Sequence, residues 1–223
     1  MTPRVSFEFF PPRTLDASFR LWETVQMLAP LNPSFTSVTY GAGGTTRALT
    51  HEAVTTIARN YGLRVAAHLT CVDASRAETL EIAAAYADAG VTEVVALRGD
   101  MPGGGAFVPH PEGFASSVEL IEALAATGKF TLRVGAYPEP HPAAADQGAD
   151  VDWLKRKIDA GASSAITQFF FEAETFLRFR DRCAAAGIAA PVIPGILPIQ
   201  SWDGAKRFAA RCGTRVPPRL DEA

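Results

Sequence analysis

No stretch of this chain approaches the roughly 18 consecutive apolar residues that a membrane-spanning helix requires. The first residues, Met1-Thr2-Pro3-Arg4, run directly into a strand pattern, so no signal-peptide apolar region is expected. Cysteine is scarce. Cys71, Cys183 and Cys212 are odd in number, far apart and free of any C-x-x-C spacing. This argues against a disulfide framework or a zinc site. The three read instead as small core hydrophobes in a reducing, cytoplasmic setting. An excess of one charge is also missing. Net charge is −3 and no basic stripe with interleaved aromatics occurs, so neither nucleic acid nor a membrane surface is expected as a partner. The chain lacks H-E-x-x-H (His51-Glu52 has no second histidine), a P-loop and a G-x-S-x-G elbow. No metal site is expected.

What is present is a chain of 223 residues, 48% hydrophobic, long enough for one large domain with a sizeable core. Strand patterns rich in β-branched and aromatic types fall over 5–10, 35–40, 64–70, 93–97, 130–137, 165–168 and 192–196. Helical patterns fall over 15–29, 47–61, 75–89, 113–127, 150–160 and 173–186, with a last one from 201 to 212. Ser75-Arg76-Ala77-Glu78 matches a capping box, and Gly62 stands at a helix C-terminus. Regular alternation of this kind predicts an α/β fold, a parallel sheet covered by helices. Seven βα units are visible. The rival, a doubly wound open sheet, usually carries G-x-G-x-x-G after its first strand, where this chain has Pro11-Pro12. The expected architecture is therefore a TIM-type (β/α)8 barrel with seven of its units in this chain.

Polar or ionisable residues recur where the strands end: Glu8, Thr39 and Tyr40, His68, Arg98 and Asp100, Tyr137 and His141, and Gln168. In a parallel barrel those ends share one rim, where barrel enzymes keep their sites. Glu8 is the anomaly, a carboxylate within Val5-Ser6-Phe7-Glu8-Phe9-Phe10. It points to solvent, meets a structural cation, or is a general acid whose pKa is raised by apolar surroundings. Asp100 suits orienting a polar heterocycle or balancing a cation. Arg98, Lys155, Arg156 and Lys157 suit phosphates, although at least one of the three consecutive cations is expected on a solvated helix face. Tyr40 and Tyr137 offer flat faces to a ring. His68 reads either as a hydrogen-bonded core histidine or as part of the rim, and most of Phe169-Phe170-Phe171 reads as core. The loop Gly41-Ala42-Gly43-Gly44 lets the backbone come close to a bound ring.

Several blocks, in order, carry a resemblance. They are Val5-Ser6-Phe7-Glu8-Phe9-Phe10-Pro11-Pro12, Ser37-Val38-Thr39-Tyr40-Gly41-Ala42, His68-Leu69-Thr70-Cys71, Ala96-Leu97-Arg98-Gly99-Asp100, Ala136-Tyr137-Pro138-Glu139, Ile166-Thr167-Gln168-Phe169-Phe170-Phe171 and Pro194-Gly195-Ile196-Leu197-Pro198. Together they resemble the bacterial methylenetetrahydrofolate reductases from residue 5 to about residue 218. The resemblance implies a (β/α)8 barrel holding FAD. NAD(P)H reduces the flavin and leaves, and methylenetetrahydrofolate then takes its place and receives the hydride as its five-membered ring opens. The product is 5-methyltetrahydrofolate, used in one-carbon metabolism and methionine supply.

Matched by position, Glu8 resembles the acid that assists ring opening and Asp100 the carboxylate near flavin and pterin. Gln168 and Phe208, with Glu8, resemble substrate contacts. Thr39, Tyr40, His68, Arg98, Gly99, Asp100, Ala115, Tyr137, His141, Asp150, Arg156 and Lys157 resemble the FAD-binding set. Trp153, Phe114 and Gly204 depart from the family's usual small polar residue, tyrosine and glutamine. The family also continues through an eighth strand. The expectation for 1–223 is thus a single barrel domain lacking its C-terminal part. The alternatives are an inactive or fragmentary flavin- or folate-binding barrel and, last, a barrel lyase without an evident Schiff-base lysine. Helix faces leave the oligomeric state open, a homo-oligomer included.

Overall fold

A computed structural model describes residues 3–41, 46–140 and 147–221. The chain divides into two compact units, Met1–Leu132 and Arg133–Ala223. The first contains β1 (Phe7–Phe9), α1 (Leu15–Leu28), β2 (Thr36–Val38), α2 (Arg47–Tyr61), β3 (Val65–Thr70), α3 (Arg76–Asp88), β4 (Glu93–Leu97) and α4 (Ser117–Ala126). The second contains β5 (Thr131–Ala136, which begins at the division), α5 (Gln147–Asp159), β6 (Ser164–Phe169), α6 (Ala173–Ala185), β7 (Val192–Gly195), α7 (Trp202–Cys212) and α8 (Pro218–Asp221). Every predicted strand and helix is present. Among the described residues, two short helices were not anticipated, the 3-10 turn Ala29–Leu31 and the single turn α8.

In the first unit β1, β2, β3 and β4 pair in sequence order, all parallel. In the second, β5 pairs with β6 and β6 with β7, again parallel. The largest difference from the predicted boundaries is at α4, which begins at Ser117 rather than near 113. Ser116 takes the N-cap, in extended conformation, and its hydroxyl accepts from the Glu119 N–H. A serine cap of this kind contributes about 1 kcal/mol and fixes where the helix starts. The capping box of α3 is formed in full, with Ser75 and Glu78 satisfying each other's backbone N–H groups. α2 ends at Gly62 in the left-handed conformation, as its position predicts.

The first unit's core lies between the strands and their helices. Val25 of α1, Val38 of β2, and Val54 and Ile57 of α2 are fully buried together. Each such side chain contributes roughly 1.5–3 kcal/mol. Glu93, at the start of β4, is only 2% exposed and is held by Arg64, which precedes β3. A charge buried there is tolerable because a guanidinium neutralises it. An ion pair thus occupies the N-terminal end of β4, at the opposite end of that strand from Arg98 and Asp100. No helix among the described residues is long and apolar enough to cross a membrane.

Candidate active site

The first unit builds its site on three neighbouring strands. Parallel register sets Glu8 of β1 opposite Ser37 of β2, and Ser37 opposite Ala66 of β3. His68 lies two residues beyond Ala66 and so faces the same side of the sheet. Glu8 reaches toward both. Its Oε2 accepts a hydrogen bond from the Ser37 hydroxyl at 3.4 Å and lies 3.3 Å from Nε2 of His68. The imidazole nitrogen is close enough for an ion pair yet misaligned for a hydrogen bond, and it is buried with no other partner. Ser37 and His68 are buried, whereas the Glu8 side chain is 48% exposed.

These contacts decide the electrostatics of Glu8. Loss of solvent around its head group works to raise the pKa. His68 and the Ser37 hydroxyl favour the ionised form and outweigh that effect, so the carboxyl is held below its ordinary value. The raised pKa expected from the sequence is therefore corrected. Apolar neighbours along β1 are visible in the sequence, but the donors that β2 and β3 bring alongside are not. Ser37 was missed as a site residue for the same reason. Its only sequence signal is its place two residues before Thr39 on the next strand.

Thr39 and Tyr40 follow β2 and are half-buried. The Thr39 N–H donates to the Phe9 carbonyl at 2.9 Å, and its own carbonyl accepts from the Thr50 hydroxyl at 3.0 Å. Tyr40 accepts at its hydroxyl from Arg47 Nε at 3.2 Å. Residues 42–45 of the glycine-rich loop lie outside the described residues. Beyond β4, Arg98 is half-buried with its guanidinium 5.1 Å from the Phe107 ring centroid, and its Nε donates to the Gly99 carbonyl at 3.4 Å. Gly99 has φ +86, and Asp100 after it is exposed. Ala115 is exposed before α4, its N–H donating to Glu119 at 3.2 Å. Cys71 is buried and its thiol is pushed up to about 11, chiefly by burial, which fits a core role rather than a nucleophile.

In the second unit, Tyr137 follows β5 and Lys157 of α5 points back beneath it. The Lys157 ammonium is buried, donates to the Gly135 carbonyl at 2.9 Å, and lies 6.0 Å from the Tyr137 ring centroid. Arg156 is exposed and packs 4.8 Å over the ring of Trp153, the departure noted in the sequence. Lys155 pairs with Asp159 one turn on, at 2.6 Å, and is the member of the cationic trio that belongs to the solvated face. Asp150 stands half-buried in the first turn of α5. His141 lies outside the described residues. Gln168, near the end of β6, accepts from the Phe169 N–H at 3.1 Å. Phe208 of α7 stacks on Phe169 with centroids 5.3 Å apart. Phe170 packs on Phe176 and Phe171 on Trp202, but both are half-buried, so only Phe169 of the run lies in the core.

Parallel βα units with ionisable and ring-stacking side chains at the strand C-termini define an enzyme of the (β/α)-barrel class. The fold is that of a (β/α)8 barrel, with seven βα units in this chain. A protein from Clostridium thermocellum, described as binding two copies of 5-methyl-5,6,7,8-tetrahydrofolic acid, shares this fold with a TM-score of 0.65 at 11% identity. The match covers 99% of this chain and 75% of that one. The family model described as methylenetetrahydrofolate reductase matches residues 2–223, and the chain belongs to that family. It is 49% identical over 213 residues to the 5,10-methylenetetrahydrofolate reductase of Pectobacterium carotovorum and 48% identical to that of Escherichia coli. In both cases the match covers 96% of this chain and 70% of the relative.

Proposed function

We propose that this chain catalyses the reduction of 5,10-methylenetetrahydrofolate to 5-methyltetrahydrofolate in the cytoplasm, with FAD bound and NAD(P)H as electron donor. The observation that carries the reading is Glu8 held between Ser37 and His68 at the end of β1, in a chain of this family. Net reaction consumes one proton with each NAD(P)H, so the site needs a proton donor as well as a hydride path.

The donor chemistry suits FAD. Arg98, Arg156 and Lys157 supply cations for a diphosphate. Tyr40 and Tyr137 supply ring faces, and His68 presents a buried nitrogen without a hydrogen bond. The other proposed FAD contacts are Thr39, Gly99, Asp100, Ala115, His141 and Asp150. When bound, FAD supplies the hydride transfer from NAD(P)H to the folate. The protein's own part is to open the folate ring. Glu8 gives its proton to the departing amine nitrogen. Because the free protein holds Glu8 ionised, the acid form arises when bound ligands strip water from it and raise its pKa. Asp100 faces the developing cation as a carboxylate, and Gln168 and Phe208 hold the substrate.

The test is spectroscopic. The purified chain supplied with FAD is expected to show bound-flavin absorbance, to bleach with NADH or NADPH in the absence of oxygen, and to recover on adding methylenetetrahydrofolate. A folded chain that binds no FAD and shows no turnover would overturn the proposal. Bleaching without recovery would leave a flavin-binding barrel instead. A smaller effect is expected at Trp153. Replacing it by alanine removes the ring beneath Arg156 and is expected to weaken FAD binding about two- to fivefold, measured by flavin titration.

A further inference from the structure

We propose that Ser37 and His68 are positioning residues that grip Glu8 through Oε2 and so make Oε1 the oxygen that donates the proton. The role assigned to Glu8 above is the premise. Both contacts converge on a single carboxylate oxygen. Ser37 Oγ is 3.4 Å from Oε2 and His68 Nε2 is 3.3 Å from it. An oxygen that already accepts from a hydroxyl and lies against an imidazole nitrogen is the poorer place for the acidic proton. Oε1 accepts nothing from Ser37 and stands farther from His68 Nε2 than Oε2 does, and the side chain is 48% exposed. The grip itself is rigid. Ser37 and His68 are buried on strands whose register against β1 is fixed by the parallel ladder. Among the described residues, His68 from β3 is the titratable group acting on Glu8, and β2 contributes only the Ser37 hydroxyl.

Positioning and acidity pull in opposite directions here, and that makes the proposal testable. Removing the Ser37 hydroxyl takes a donor from the carboxylate and raises the pKa of Glu8. If acidity alone mattered, more Glu8 would be protonated at neutral pH and folate reduction would quicken. If position matters, folate reduction slows in spite of it.

The experiment uses the full chain labelled with 13C at the glutamate side-chain carboxyl, the Glu8 resonance being assigned by its absence in Glu8→Gln. Glu8 is expected to titrate below the ordinary glutamate range in the parent chain. Its midpoint is expected to rise by about half a pH unit in Ser37→Ala and by more in His68→Gln. With FAD bound, Ser37→Ala is expected to reduce methylenetetrahydrofolate about three- to tenfold more slowly at the plateau. The alkaline limb of that rate should move to higher pH, and flavin reduction by NADH should be unchanged. An unmoved Glu8 midpoint in Ser37→Ala, or a folate half-reaction as fast as the parent's, overturns the positioning role by itself. If Glu8→Gln leaves folate reduction intact, the acid role falls and the positioning role falls with it.

Discussion

Glu8→Gln is expected to leave reduction of the flavin by NADH within about twofold of the parent chain and to slow reduction of methylenetetrahydrofolate by at least a hundredfold or so. Hydride transfer from a nicotinamide to a flavin needs no proton at the substrate, so a carboxyl at the end of β1 has nothing to supply there. Opening the folate ring does need one, because an amine leaves poorly as an anion. Glutamine keeps the size of the side chain and can still accept from the Ser37 hydroxyl, so packing around β1 survives the change. Single-turnover measurement of the two half-reactions separates them. Equal loss in both would mean that Glu8 holds cofactor or fold rather than the proton.

The same variant carries a signature in stability. The folded pKa of Glu8 lies below its ordinary value, so its stabilising contribution is present above the unfolded pKa. It is lost as pH falls through the folded pKa. The stability difference between the parent chain and Glu8→Gln should therefore narrow as pH drops below the ordinary carboxylate range, which a series of denaturant melts would display.

Gly99→Ala is expected to lower the melting temperature by about 5–15 °C and to abolish FAD binding. The residue carries φ +86, and an added Cβ would stand 2.5 Å from Val72 Cγ1 and 2.9 Å from Thr70 Cβ. A left-handed conformation costs a side-chain-bearing residue roughly 1–2 kcal/mol. Overpacking against buried neighbours adds roughly 1–3 kcal/mol. The strain has an outlet, the swing of the backbone that carries Arg98 and Asp100. Gly103→Ala is the control. Its φ is +81, but an added Cβ there meets nothing within 4 Å, so only the conformational cost applies. Thermal melts and flavin titration of the two variants compare a crowded positive-φ glycine with an open one. Equal loss at both would show that contact with Val72 and Thr70 has no part in it.

Much of the architecture was legible because it rests on local chemistry. Ser75 and Glu78 cap α3 through bonds spanning three residues, and Gly62 ends α2 by its own backbone freedom. Signals of that range survive in a linear sequence. The misplaced start of α4 shows the limit. Phe114 and Ala115 are helix-compatible types, and Ser116 becomes the boundary because its hydroxyl accepts from the Glu119 N–H. The cationic trio shows a further limit. Lys155, Arg156 and Lys157 are alike in sequence but differ in fate. One is paired on the solvated face, one is laid over Trp153, and one is buried against the Gly135 carbonyl.

The sequence by itself determined that this chain alternates parallel strands with helices, that its polar residues fall at strand ends, and that it resembles a folate reductase family to which it proves to belong. Each of these is written in periodicity or in contiguous motifs. Only the tertiary structure decided what Glu8 meets and in which direction its proton affinity moves. That outcome depends on residues 29 and 60 positions away, brought to one oxygen atom by the register of β1, β2 and β3. Burial along one strand pushes a carboxyl pKa up, and donors on the adjacent strands pull it down. The net sign is a difference between opposed effects, and the pairing of strands brings in the neighbours that lower it.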